Sequence, residues 1–297
     1  MSIRLENVSY VYEPGTPMEV TGLYPLSLEV RTGEVLAIIG ATGSGKSTLI
    51  QTMNGLNKPT SGKVFYMGED IFGEKYDRRR LRGRVGLVFQ YPEYQLFEET
   101  VLKDVCFGPK NQGLPEEACI ARARAAMQVV GLDESYEKRS PFDLSGGEKR
   151  RAAIAGVLAM EPQILILDEP TAGLDPEGRT ELLRELMSLR EEKGLGIVMV
   201  SHSMEDVAML ADRIIVLSHG HLVREGTPRE VFRDEKTLNE AGLALPSVCR
   251  VLHRLKERDL PVETDALSVE EAREKILALF PGAGRREKPQ AEGVAKA

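Results

Sequence analysis

The chain has 297 residues, 42% of them hydrophobic and 29% charged, and 39 lysines and arginines against 46 acids leave a net charge of −7. That length can bury a full core, as one large domain or one with an appendage, while the acidic balance argues against a broad nucleic-acid footprint. Three scattered cysteines (Cys106, Cys119, Cys249) without CxxC spacing suggest neither a disulfide frame nor a zinc site and fit a reduced, cytosolic setting, and no stretch approaches about 20 apolar residues, so no bilayer span is expected.

From the start, Met1 to Glu6 shows no signal-peptide core. Ser2 to Tyr12 alternates as a strand until Glu13 to Pro17 turns the chain. Leu26–Val30 and Val35–Ile39 read as strands, as do the short runs Val64–Tyr66 and Arg84–Phe89. The arginine-rich run from Asp77 to Arg84 reads as a solvated surface. Pro115 to Val130 has helical spacing, with Glu116 and Glu117 in the first turn where the helix dipole favours anions. Ile164–Leu167, Ile197–Val200 and Ile214–Leu217 are apolar runs of the buried parallel kind, with helices between them. Gly220 sits in an expected hairpin turn before Leu222–Glu225.

After about Arg233 the pattern becomes a small helical extension. Ser247 is expected to cap a helix with Val248, Val251, Leu252 and Leu255 on one face. Ser268 and Glu271 have capping-box spacing ahead of Val269, Ala272, Ile276, Leu279 and Phe280. From Gly282 the tail is polar and expected to be disordered.

The segment Gly40-Ala-Thr42-Gly43-Ser44-Gly45-Lys46-Ser47 follows the strand Val35–Ile39 and leads into Thr48. All the fixed positions of GxxxxGK[ST] are present after a strand, which points to a loop whose N–H groups cradle a polyphosphate. Lys46 would reach the β- and γ-phosphates, Ser47 would place its hydroxyl on Mg²⁺, and the helix that follows adds partial positive charge. Asp168 and Glu169 end the strand Ile164–Leu167, where ligands of parallel sheets sit. Asp168 suits the Mg²⁺ shell, and Glu169 suits a base that deprotonates an attacking water. Ser145-Gly146-Gly147 precedes a long helical run and makes a second anion-binding helix start, which a second copy of the fold, facing the first head to tail, would use.

These residues, in this order, resemble the ATPase subunits of ABC transporters over about residues 1–235. The match includes the phosphate loop, Gln90, Leu144–Glu148, Leu167–Pro170, Gly173–Asp175 and Val200–His202. The resemblance implies that Tyr12 stacks on adenine, with Tyr10 on the same strand face as its competitor. It implies that Gln90 contacts Mg²⁺ and the attacking water, and that His202 reaches the γ-phosphate as a switch. His219, His221 and His253 are expected at the surface or in turns. Asp175 would speak to the opposite subunit, and Ser145, Gly146 and Gly147 would close over the neighbour's ATP. Position 148 is Glu where the family more often has Gln, which moves an acid towards that interface.

The segments Phe89–Thr100, Phe107–Pro109, Ile154–Met160, Thr171–Asp175 and Ser201–Met204 are most similar to energy-coupling factor importers of the cobalt and vitamin type. That resemblance implies a second ABC ATPase (homo- or heterodimer), a transmembrane coupling protein, a separate substrate-binding membrane protein, no nucleic acid, and a peripheral place on the cytoplasmic face of the membrane. Glu93, Glu98 and Glu99 are candidates to receive arginines of the coupling protein. The expected architecture is an α/β P-loop NTPase core of the ABC type over residues 1–235. It carries an antiparallel β subdomain and a helical signature subdomain at about 94–160. A helical extension at 236–281 and a tail at 282–297 follow. The alternatives are the ATPase of another ABC permease or a soluble ABC protein acting on nucleic acid or the ribosome.

Overall fold

The computed structural model describes residues 2–280, so the tail expected from Gly282 lies outside the described residues. Strand β1 (Ser2–Tyr12) buries Ile3, Leu5 and Val8 and pairs antiparallel with β2 (Val20–Arg31) from Ser2↔Arg31 to Tyr12↔Val20. β2 starts well before the expected Leu26, because its first half is largely exposed and held by backbone pairing, which leaves no apolar pattern to read. β3 (Val35–Ile39) is wholly buried and runs into α1 (Lys46–Met53). β4 (Ser61–Tyr66) and β5 (Glu69–Asp70) complete a four-stranded antiparallel sheet in the order β2-β1-β4-β5. The arginine run forms α2 (Arg78–Arg84), capped by the Asp77 carboxylate, which accepts from the Arg79 N–H.

Next come β6 (Val85–Val88), α3 (Val101–Asn111), α4 (Glu116–Val129), α5 (Gly146–Leu158), β7 (Ile164–Asp168) and α6 (Pro176–Lys193). β8 (Gly196–Val200), α7 (Met204–Leu210), β9 (Arg213–Ser218) and β10 (His221–Gly226) close a six-stranded sheet of order β10-β9-β3-β8-β7-β6. All its neighbours pair in parallel except β10, which folds back on β9. The turn between them puts His219 at φ 47° and Gly220 at φ 79°, the left-handed pair that a two-residue hairpin needs.

Side chains alternate across each strand, so the parallel sheet feeds two cores. Val35, Ala37, Ile39, Leu165 and Leu167 pack under the helices, whereas Leu36, Ile38, Ile164, Ile166 and Val198 pack against the antiparallel sheet and α1. The carboxyl ends of β3, β8, β7 and β6 share one rim.

The chain ends in α8 (Pro228–Arg233), α9 (Glu235–Glu240), α10 (Ser247–Lys256) and α11 (Val269–Ala278). Ser247 is the first residue of α10 rather than its cap, and its N–H and hydroxyl both donate to Glu205 Oε1, at 3.1 and 2.8 Å. Val248, Leu252 and Leu255 of the expected face of α10 pack inward and are joined by the buried Cys249, whereas Val251 is exposed. Ser268 does cap α11, but Glu271 turns back to the Leu267 N–H, so the expected box is only half made. Val269 and Phe280 are exposed, and Ala272 packs with Leu252, Val262 and Ala266. His253 is not a surface residue, since its Nδ1 lies 2.8 Å from Glu235 Oε2 and its ring is mostly buried. Among the described residues no helix is long and apolar enough to cross a membrane.

Candidate functional site

At the end of β3 the chain makes a turn that only glycine permits. A Cβ on Gly40 would lie 2.4 Å from both the Leu217 carbonyl and Ser44 Oγ. Gly43 and Gly45 stand at φ 77° and 101°, and a Cβ on Gly45 would meet the Gly22 carbonyl at 2.6 Å. The turn leaves Gly45 as the N-cap of α1, with no side-chain cap. Its first N–H groups have no partner within the helix and point with the dipole at whatever lies above the loop. Ser44 Oγ is buried without a hydrogen-bond partner, while Thr42 is exposed.

Lys46 is the first residue of that helix and almost fully buried. Its ammonium donates to the Gly40 and Ala41 carbonyls, at 2.7 and 3.0 Å. Burial lowers the Lys46 pKa, and the Glu169 and Asp168 carboxylates oppose that. Ser47 Oγ donates to Asp168 Oδ2 at 3.4 Å, so the helix start and the end of β7 meet. Burial raises the pKa of Asp168 against the pull of Ser47, Lys46 and His202.

Glu169 follows β7 at φ 52°, a strained angle for a side chain of its size. Its Oε2 accepts from the His202 N–H at 3.4 Å, and its Oε1 is buried and accepts no hydrogen bond, although His202 Nε2 lies 3.4 Å away. Burial raises its pKa, the direction that makes a carboxylate a stronger base. His202 comes from the end of β8, between the strands that carry Lys46 and Asp168. The next residues are held by Arg179, whose guanidinium donates to Ser203 Oγ and Asp206.

Tyr12 lies beside the loop, its hydroxyl 2.7 Å from Thr48 Oγ1 and its ring where a Cβ on Gly22 would stand. Tyr10 meets it edge-on at 4.7 Å between centroids and is the more buried of the two. Gln90 is exposed just beyond the end of β6, with its carbonyl accepting from Arg150 at 2.8 Å. Hydrogen bonds or close polar contacts thus join Ser47 to Asp168 and Glu169 to His202, and the field of both carboxylates reaches Lys46.

Ser145, Gly146, Gly147 and Asp175 belong to a second constellation. Ser145 caps α5 and Asp175 caps α6, and a Cβ on Gly147 would touch the Leu174 side chain at 3.4 Å. Both helix starts are exposed.

Glu148, the acid expected near that interface, is turned back onto its own subunit. It closes a capping box on Ser145, its Oε2 accepting from the Ser145 N–H at 2.7 Å, and Tyr136 donates to its Oε1 at 2.8 Å. These bonds hold its pKa down at about 2. A folded-state pKa below the unfolded one means that the stabilisation is present above the unfolded carboxylate range near 4.5 and fades as pH falls towards about 2. Glu148→Gln should therefore melt below the parent protein at pH 6, with the gap in Tm narrowing as pH is stepped down from 5. A gap independent of pH would show that the charge of Glu148 is irrelevant to its cap.

The parallel sheet with this loop at one strand end, a lysine within it and two carboxylates at a neighbouring strand end define a P-loop nucleoside triphosphatase. The ABC transporter family model matches residues 23–172. An energy-coupling factor transporter ATP-binding protein EcfA2 from Caldanaerobacter subterraneus subsp. tengcongensis is 50% identical over 282 residues, 95% of this chain and 99% of that protein. One of the same description from Clostridium tetani is 51% identical over 94% of this chain and 98% of its own. Among solved structures, cbiO1 from Clostridium perfringens, part of the ABC transporter complex cbiONQ, superposes with a TM-score of 0.71 at 38% identity, covering 86% of this chain and 98% of that one. The ATP-binding cassette MJ0796, dimeric and bound to ADP and Pi, gives a TM-score of 0.68 at 31% identity over 76% of this chain and 98% of its own. The chain belongs to the ABC transporter ATPases, in the branch of the energy-coupling factor transporter ATP-binding proteins, and is an ATP-hydrolysing transporter subunit.

Proposed function

We propose that this subunit hydrolyses ATP with Mg²⁺ at two sites shared between paired ATPase subunits. It works on the cytoplasmic face of a membrane and drives a transmembrane coupling protein. The solute, of the vitamin or transition-metal class, would be bound by a separate membrane protein. The observation that carries this reading is the convergence of the uncapped start of α1, the buried Lys46 and the Ser47–Asp168 pair beside Glu169.

Lys46 would exchange the Gly40 and Ala41 carbonyls for phosphate oxygens, which the glycine turn keeps within reach of N–H donors. Ser47 and Asp168 offer a hydroxyl and a carboxylate, the hard oxygen donors that Mg²⁺ prefers, and Gln90 at the end of β6 would join them. Among the described residues there is no cluster of three or more His, Cys, Asp or Glu able to hold a metal ion, so these oxygens would be completed by those of the substrate. When bound, the ion would draw charge from the phosphate oxygens. Glu169 would take a proton from the attacking water, with His202 steadying that carboxylate and the γ-phosphate. Tyr12, beside Thr48, would stack on adenine. Ser145, Gly146, Gly147 and Asp175, exposed at two adjacent helix starts, would close over the nucleotide of the second subunit, an arrangement supported by the dimeric form of the related MJ0796.

The docking face for the coupling protein would be the cavity of about 1130 Å³ between α2, the segment around Leu96, α3 and α5. Phe97 and Phe107 stand edge-to-face at 4.9 Å there, both substantially exposed, against the arginines of α2. Of the acids considered from sequence, Glu93 is turned inward, whereas Glu99 stays exposed. Glu93 is turned towards Arg150 at 3.6 Å, and Glu99 pairs with Lys103 at 2.6 Å. Phe97→Asp combined with Phe107→Asp should leave nucleotide binding intact and abolish recovery of the tagged chain with its membrane partner. Undiminished recovery would move the docking face elsewhere. Purification of the unaltered tagged chain from membranes should bring a second ATPase subunit and a polytopic protein, and recovery free of membrane protein would contradict the transport reading.

A further inference from the structure

The least exposed guanidinium in the helical region belongs to Arg150, with 5% of its side chain accessible. It rises from the second turn of α5 and reaches segments far apart in sequence. Its Nη2 donates to the Gln90 carbonyl at 2.8 Å, its Nη1 donates to the carbonyls of Glu169 (3.4 Å) and Ala172, and its Nε faces Glu93 Oε2 at 3.6 Å. A charge this deep is costly unless its donors are matched, and here they are matched mostly by main-chain oxygens of two loops. Those loops carry Gln90 and Glu169. Glu169 also holds a left-handed angle that persists only if its surroundings enforce it. Besides Arg150, the bonds that hold its main chain are its own N–H to the Val200 carbonyl at 3.0 Å and the Ala172 N–H to its carbonyl at 3.2 Å.

We infer that Arg150 is a positioning residue that fixes Glu169 and Gln90 to the signature helix α5, so that a displacement of α5 is felt at both. This rests on the proposed roles of Glu169 and Gln90. The start of α5 is the exposed Ser145–Gly147 segment, and Arg150 sits less than two turns into the same rigid rod. What the neighbouring nucleotide does to the start of α5 therefore reaches this subunit's own base through one side chain. A planar fork suits the task, because it addresses several carbonyls from fixed directions, whereas an ammonium keeps the charge without that geometry.

The test uses the full-length ATPase with Arg150→Lys, Arg150→Met, and Arg150→Met combined with Glu93→Gln, the last to relieve the acid that loses its partner. Steady-state hydrolysis, titration with a fluorescent ATP analogue, and thermal melting are measured for each. Displacement of a reacting group by about 1 Å costs on the order of 100-fold in rate. We expect kcat to fall by about that factor in all three, with nucleotide affinity within about twofold of the parent. Tm should recover in Arg150→Lys and in the double variant while kcat does not. A kcat for Arg150→Lys within about twofold of the parent would overturn the inference, as would a rate loss that tracks Tm across all three variants. Glu169→Gln run alongside separates the two levels. If it hydrolyses ATP normally, the role of Glu169 fails by itself; if it is inactive while the Arg150 variants are not, only this inference fails.

Discussion

Glu169→Gln should lower kcat by about 10²- to 10⁴-fold, the range that a positioned general base supplies, and should leave ATP binding intact or tighter. The amide is nearly isosteric, so the left-handed backbone at this position and the contacts of the neighbouring loop are kept. What is lost is the proton-accepting oxygen. Glu169 Oε1 is buried and accepts no hydrogen bond, and burial raises the pKa of the group, so it is held ready to take a proton rather than spent on a structural bond. Binding survives because Lys46, Ser47 and the glycine turn are untouched. Removing a negative charge close to Lys46 also removes repulsion towards a polyanionic substrate. Phosphate release measured beside a nucleotide titration checks both halves. Near-normal hydrolysis would take Glu169 out of the chemistry.

Lys46→Ala should weaken ATP binding by about 100-fold, which corresponds to about 3 kcal/mol for hydrogen bonds made by a charged donor. The ammonium occupies the hollow of the loop and bridges two carbonyls. Without it those oxygens, with Asp168 and Glu169 behind them, present only negative charge to a phosphate chain. The fold should persist, because the core on either side of β3 is apolar and does not use this side chain. Isothermal titration with ATP and a melting curve distinguish lost affinity from unfolding. Affinity within about twofold of the parent would mean that the loop binds through its backbone alone.

The phosphate loop, Asp168, Glu169 and the strands that carry them were legible because each signal is local. Five-residue strands buried on both faces read as unbroken apolar runs, and a glycine-lysine-serine turn after such a run has few other uses. The first half of β2 was not legible, since its residues are exposed and paired through the backbone. On α10 the face of Val248, Leu252 and Leu255 was legible, and only Val251 falls outside it, because Cys249 packs there as an apolar residue instead. Glu148 carried a readable clue that was missed. Ser145 and Glu148 have capping-box spacing, which accounts for the acid turning back onto its own helix start. Arg150 carried no such clue. Its partners lie in loops 60 and about 20 residues away and are main-chain oxygens, which no side-chain pattern announces. The exposed starts of α5 and α6 have the same limitation, because the group expected to meet them belongs to another polypeptide.

The claim that each nucleotide is enclosed by two subunits is tested most directly by sedimentation velocity of Glu169→Gln with ATP and Mg²⁺, with and without Gly146→Asp. A Cβ at Gly146 meets nothing within 4 Å, so the added acid does not disturb its own subunit. The predicted result is a dimer holding two nucleotides for Glu169→Gln, and monomers that still bind ATP once Gly146→Asp is added. A Glu169→Gln protein that stays monomeric with ATP bound, while the parent hydrolyses at full rate as a monomer, would contradict the shared site.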